Sequence, residues 1–221
     1  MLEFKNVTGV SKGFNLKDIS FNAPKGYITA IVGANGAGKS TLLNYIFDMK
    51  KHYSGEILYD GKDIRENFNE FRNITSFISD ERRFFEENTA SENAKLLSNF
   101  YDKWNQELFN KCMKELSVPK NTKLSKLSRG EYIKFQLALS VAHDTKLYLL
   151  DEATAGMDPV FRKDFYKFLH ELIATEEVTI LTVTHIEEDI YSHMDYVGTL
   201  KNGEIISFKE AERTDFDGTI S

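Results

Sequence analysis

The sequence predicts an α/β fold with a largely parallel core sheet, an antiparallel β part beside it and an inserted, mostly helical segment. Three observations carry this. Short apolar runs at 27–32, 147–150 and 178–183 have the near-continuous character of strands buried on both faces. Helical recurrences separate these runs, as crossover connections between parallel strands require. Early segments alternate instead, with Leu2, Phe4 and Val7 in one and Ile19 and Phe21 in another, which is the pattern of half-buried strands.

Taken in order, Pro24, Lys25 and Gly26 form a turn into the run 27–32. A glycine-rich loop follows, then a helix over 41–49. Residues 56–59 read as a strand ending at the Asp60-Gly61 turn, and 74–78 as another. Composition shifts after Asp80. Residues 89–117 are rich in Glu, Lys, Asn and Leu, with Leu96, Leu97, Phe100, Trp104, Leu108 and Phe109 recurring at helical spacing, a stripe most simply read as core packing. Thr89 and Glu92 have the spacing of a capping box. The helical stretch is expected to end near Lys126. Further helices are expected at 133–141 and 160–174. Lys201-Asn202-Gly203 forms a hairpin turn between 196–200 and 204–208, and the polar tail is expected to fray.

Hydrophobic residues make up 41% of the chain and charged residues 28%, ordinary values for a globular protein. The net charge is −6, from 28 basic and 34 acidic residues, so nucleic acid is not expected as a partner. Cys112 is the sole cysteine, which excludes an internal disulfide or a multi-thiolate metal site. Residues 1–10 lack the pattern of a secretory signal. The longest apolar runs fall far short of the ~20 residues a membrane helix needs.

Gly33-Ala34-Asn35-Gly36-Ala37-Gly38-Lys39-Ser40 fits the phosphate-loop pattern G-x-x-x-x-G-K-[ST] and leads into Thr41. A triphosphate needs many donors close together. Glycines let backbone N–H groups turn inward. The following helix aims its positive end at the anion. Lys39 reaches the outer phosphates, and the Ser40 hydroxyl is a ligand for Mg²⁺. The bland alternative is a glycine-rich turn with a chance lysine. The strand before it and the helix after it argue against that.

Leu147-Tyr148-Leu149-Leu150 ends in Asp151-Glu152. Ligands of open α/β sheets bind beyond the carboxyl ends of strands. Asp151 is therefore expected beside Ser40 and Mg²⁺. Glu152 is placed to orient or deprotonate an attacking water. Alone, two such carboxylates read more simply as the start of a solvated loop.

With these motifs stand Leu127-Ser128-Arg129-Gly130-Glu131, Ala155-Gly156-Met157-Asp158 and His185 after the run ending at Thr184. In this order and spacing they resemble the signature, D-loop and switch histidine of the ATP-binding cassette (ABC) family. The resemblance runs from Leu2 to about Phe208. It implies a P-loop NTPase of ABC type forming one ATPase domain over 1–221. Residues 1–80 and 142–208 would be the nucleotide-binding core with its antiparallel β part, 81–141 the helical subdomain, and 209–221 a tail. It also implies a head-to-tail pair of cassettes, homodimeric or heterodimeric, sandwiching ATP. Ser128, Gly130 and Asp158 would meet the nucleotide of the other copy, Glu152 would act as general base and His185 would contact the γ-phosphate. His52, His143, His170 and His193 match nothing and are left as structural.

Two positions depart from the family pattern. The family glutamine after the strand 74–78 is replaced by Asp80, which either keeps a metal role or is a surface carboxylate. The family aromatic that stacks on adenine is missing from the segment 8–14, where Phe14 is the available aromatic and Val10 or Ser11 are alternatives. In the family, a groove beside the helical subdomain receives a helix of a transmembrane partner. Phe84 and Phe85 are expected near it, or in the core.

The function implied is the ATP-hydrolysing subunit of a membrane transporter, working with separate permease subunits at the cytoplasmic face of the cell membrane. The chain's compactness resembles exporter subunits. A soluble ABC ATPase acting on nucleic acid or ribosomes is the alternative, disfavoured by the acidic charge and the single cassette.

Overall fold

The computed structural model describes residues 1–11, 14–48, 50, 52–81, 84–175 and 177–211. Lys12 and Gly13 of the segment expected to meet adenine, Met49 of the expected helix 41–49, and the tail beyond Ala211 lie outside the described residues.

Two sheets share the chain. The first is antiparallel, in the order β2-β1-β4-β5, from β1 (Leu2–Ser11), β2 (Phe14–Ala23), β4 (Tyr53–Tyr59) and the short β5 (Lys62–Asp63). The second runs β10-β9-β3-β8-β7-β6, from β3 (Ile28–Val32), β6 (Thr75–Ser79), β7 (Leu147–Asp151), β8 (Thr179–Thr184), β9 (Tyr196–Lys201) and β10 (Glu204–Glu210). All its pairings are parallel except the β9–β10 hairpin. The sheets meet where Lys17 N–H donates to Gly203 O at 2.8 Å and Phe21 stacks on Phe208 at 5.6 Å.

Alternation within the core strands builds two hydrophobic layers. Ile31, Leu147, Leu149, Leu181 and Val183 face one way, packing with Leu42, Leu43 and Ile46 of α1 (Lys39–Phe47) and with Phe4, Ile19 and Phe21 of the antiparallel sheet. Ile28, Ala30, Tyr148, Leu150 and Ile180 face the other way, against α5 (Arg129–Ala142) and α6 (Pro159–Thr175).

The expected long helical stretch is divided. Its pieces are α3 (Ala90–Leu97), a 3₁₀ turn at Ser98–Phe100, and α4 (Gln106–Glu115). The capping box forms as expected, with Glu92 N–H donating to Thr89 Oγ1 at 3.2 Å and Thr89 N–H to Glu92 Oε2 at 2.7 Å. The break turns the apolar stripe. Leu97, Trp104, Leu108 and Phe109 pack on the core, whereas Leu96 and Phe100 stay exposed. Two short helices escaped the sequence reading, α2 (Phe68–Asn73) and α7 (Glu187–His193). Each is too short for periodicity to reveal.

Candidate functional site

Strand order explains how distant motifs meet. β8 lies between β3 and β7, and all three run parallel, with Val32 paired to Thr184 and Asp151 to Val183. Their carboxyl ends are therefore adjacent. Gly33 leaves β3, His185 leaves β8 and Glu152 leaves β7 at one edge of the sheet, each beginning a different loop.

The loop after β3 turns tightly, with Ala37 N–H donating to Ala34 O at 3.0 Å, and Gly36 and Gly38 adopt φ of 80° and 105°. Gly38 is doubly constrained. A Cβ there would stand 2.4 Å from Cε1 of Phe14, so the ring of Phe14 packs directly on the backbone that opens α1. Asn35 and Gly36 are exposed, Ala37 is buried and Thr41 is half-buried.

Lys39 is 5% exposed, unusual for a lysine. Its ammonium donates to Gly33 O at 2.9 Å and Ala34 O at 3.3 Å, and stands 3.6 Å from Glu152 Oε1. Ser40 Oγ donates to Asp151 Oδ1 at 3.0 Å. Glu152 carries φ of 47°, a left-handed conformation uncommon for a residue with a side chain, and its N–H donates to Val183 O at 3.0 Å. Its Oε1 also lies 3.4 Å from Nδ1 of the half-exposed His185. The phosphate-loop lysine and serine, the acidic pair and the histidine thus form one cluster of interlocked charges.

A second group lies apart from this cluster. Ser128 caps α5, with Glu131 N–H donating to Ser128 Oγ at 3.2 Å and Ser128 N–H to Glu131 Oε2 at 2.8 Å. Gly130 lies against Phe161, and Asp158 Oδ1 accepts the Phe161 N–H at 2.9 Å, capping α6. Ser128, Arg129, Gly130, Lys134 and Asp158 line a hollow of about 280 Å³, and no phosphate-loop residue lines it. The structure therefore gathers Ser128, Gly130 and Asp158 with one another but not with Lys39 or Ser40.

Asp80, at the end of β6, pairs with Arg129 at 2.9 Å rather than with Ser40 and Asp151. Phe84 packs edge-on against Phe135 at 5.4 Å and also lines a groove of about 780 Å³ with Phe47, Phe68, Phe77 and Phe100. Phe85 is exposed and does not line that groove. In the groove wall His143 stacks on Tyr101 at 3.9 Å, and burial lowers its pKa to about 4. Burial pushes the Cys112 thiol up to about 11, which leaves it unreactive.

Sequence reasoning missed two supports of the site. Gln136, inside α5, donates to Ser79 O at 2.7 Å and steadies the end of β6. Asp189, on α7, accepts a hydrogen bond from Thr154 of the loop after β7. Neither has a sequence signal, because both act across elements far apart in the chain.

Fold and site together define a P-loop ATPase built on a mixed α/β core. The ABC transporter family profile matches residues 16–155. The ABC transporter ATP-binding protein YtrB of Bacillus subtilis is 30% identical over 213 residues, covering 96% of this chain and 73% of that protein. The methionine import ATP-binding protein MetN of Mannheimia succiniciproducens is 29% identical over 221 residues, covering 93% of this chain and 64% of the relative. Among solved structures, a bacterial ABC transporter cassette determined as a dimer superposes with a TM-score of 0.84 at 25% identity, covering 97% of this chain and 100% of the other. The chain belongs to the ABC transporter family and is an ATP-binding cassette, an ATPase of the kind coupled to transport.

Proposed function

We propose that this cassette hydrolyses ATP at the cluster around Lys39 and Glu152, and that it closes head to tail on a second cassette to drive a membrane transporter. The observation that carries the reading is the convergence of Lys39, Ser40, Asp151, Glu152 and His185 at one edge of the parallel sheet. Backbone groups of Gly33, Asn35, Gly36, Ala37, Gly38 and Thr41 would cradle the phosphates, and Lys39 would neutralise the outer ones. Glu152 would orient and deprotonate the attacking water, with His185 at the terminal phosphate. Phe14, already packed on Gly38, is proposed as the contact nearest the base.

The donors at the site fit Mg²⁺. A hydroxyl and a carboxylate 3.0 Å apart, Ser40 and Asp151, suit a hard cation that keeps most of its ligands as water and phosphate oxygens. Among the described residues no group of three or more His, Cys, Asp or Glu side chains gathers to cage a metal, in keeping with such sharing. The bound ion would neutralise phosphate charge.

The separate hollow at Ser128, Gly130 and Asp158 supports completion of the site by a second copy, and the dimeric relative supports the same arrangement. Among the described residues no helix is long and apolar enough to cross a membrane. We place the membrane-spanning part in separate permease subunits, engaged at the groove beside Phe84, with the cassette on the cytoplasmic face. Export is proposed as the direction. The methionine-import relative makes import the alternative. Transport into inverted and right-side-out vesicles distinguishes them.

The test of the site is Glu152→Gln. It should bind ATP-Mg²⁺, lose hydrolysis by roughly 10²–10⁴-fold, and sediment as a dimer with ATP present. A monomer that hydrolyses at full rate would sink the reading. A chain that never fractionates with a membrane protein would return the soluble, non-transport ATPase.

A further inference from the structure

Asp189 is 2% exposed, on the first turn of the helix that follows His185. Its carboxylate gathers side chains from elsewhere. Thr154 Oγ1 donates to Oδ2 at 2.7 Å, the Tyr166 hydroxyl donates to the same oxygen at 3.1 Å, and Arg162 Nη1 lies 3.3 Å from Oδ1. A buried carboxylate persists only when satisfied in this way.

The partners are not equivalent. Arg162 and Tyr166 belong to α6, so their bonds dock one helix on another. Thr154 belongs to the short loop that carries Glu152. That loop and the segment running from His185 into the first turn of α7 therefore meet twice. They touch near the surface, where Glu152 and His185 stand 3.4 Å apart, and again underneath at Thr154 and Asp189. The upper contact joins partly exposed side chains and is weak. The lower one is short, charge-assisted and shielded from water, so it is the stronger of the two.

We infer that Thr154 and Asp189 are positioning residues for hydrolysis, whose buried hydrogen bond sets where the Glu152 carboxylate stands relative to His185. The inference rests on the proposed roles of Glu152 and His185. It separates two conservative changes at one carboxylate oxygen. Thr154→Val and Tyr166→Phe each delete one hydrogen bond to the same oxygen of Asp189, but only the first loosens the loop that bears Glu152, which keeps the Glu152 N–H bond to Val183 O.

The test measures steady-state ATP hydrolysis, nucleotide binding and thermal melting for the full chain carrying Thr154→Val, Thr154→Ser, Tyr166→Phe or Glu152→Gln. Thr154→Val should lower kcat by at least about tenfold while KM for ATP stays within about twofold, the signature of a misplaced group rather than lost binding. Thr154→Ser should restore the rate, and Tyr166→Phe should leave it within about twofold. Equal losses in Thr154→Val and Tyr166→Phe, or no loss in Thr154→Val, would overturn the inference. Full hydrolysis by Glu152→Gln would instead overturn the underlying roles, whatever Thr154→Val does.

Discussion

The Asp80 carboxylate stands 2.9 Å from the Arg129 guanidinium, joining the end of β6 to the first turn of α5. Each occupies a position where the family pattern expects a different residue, glutamine for the first and glycine for the second. The two departures meet each other. Both side chains are substantially exposed, so the pair contributes at most ~1 kcal/mol to folding. Its consequence is geometric, holding the signature segment against a core strand. We expect Asp80→Asn to leave the Mg²⁺ dependence of hydrolysis unchanged. A higher half-saturating Mg²⁺ concentration in that variant would assign Asp80 to the metal.

Lys39→Ala should abolish most nucleotide affinity without unfolding the chain. The ammonium is held by the carbonyls of Gly33 and Ala34, so it is pre-aimed across the loop rather than free to wander. A charge-assisted bond of roughly 1.5–3 kcal/mol lost from the complex corresponds to about 10- to 150-fold weaker binding. Titration with a fluorescent ATP analogue reads this directly. Unchanged affinity would mean that the nucleotide binds elsewhere.

The layout of the core was legible because its signals are local. The apolar runs ending at Val32, Leu150 and Val183 announce buried strands, and glycine spacing with Lys39 announces the phosphate loop. Capping spacing placed the start of α3 at Thr89. The same local logic failed where geometry is set at a distance. Tyr101, in the break of the helical stripe, stacks on His143 in the groove wall, a contact with no trace in the periodicity. The family resemblance offered Asp80 as a possible metal ligand because it stands where the family glutamine follows the strand 74–78. Nothing local reveals that Arg129 lies beside it. Asp189 reads as one more acid in a charged segment, and only the fold buries it against Thr154.

Acid should destabilise the groove wall through His143. In the folded chain its pKa is lowered to about 4, chiefly by burial, against an ordinary value of 6.5. Between these values the unfolded chain binds more protons than the folded one. Stability is therefore fully present above pH 6.5 and is lost as pH falls toward about 4. The ceiling for this single group is roughly 3 kcal/mol. Urea unfolding at neutral pH and near the lower limit should show the loss, and His143→Gln, which cannot titrate, should reduce the difference. An identical pH dependence in that variant would exclude His143 as the cause.

Gly130→Ala tests how closely the segment 127–131 is fitted to the first turn of α6. Alanine is the better helix former by about 0.5–1 kcal/mol, so propensity alone predicts a gain. Packing opposes it. A Cβ at this position would stand 2.7 Å from Cε2 and 2.9 Å from Cδ2 of Phe161, whose N–H is held by Asp158 and whose ring lies 4.9 Å from the Lys134 ammonium. Overpacking of this kind costs about 1–3 kcal/mol, so the loss wins. The ring must move within the first turn of α6, beside the Asp158 cap. The variant should melt lower, bind ATP at the phosphate loop normally and dimerise less readily in the Glu152→Gln background. Adding Phe161→Leu should restore both melting and dimerisation. If dimerisation stays intact while melting falls, Gly130 serves packing alone and the hollow beside it is not a contact with the second copy.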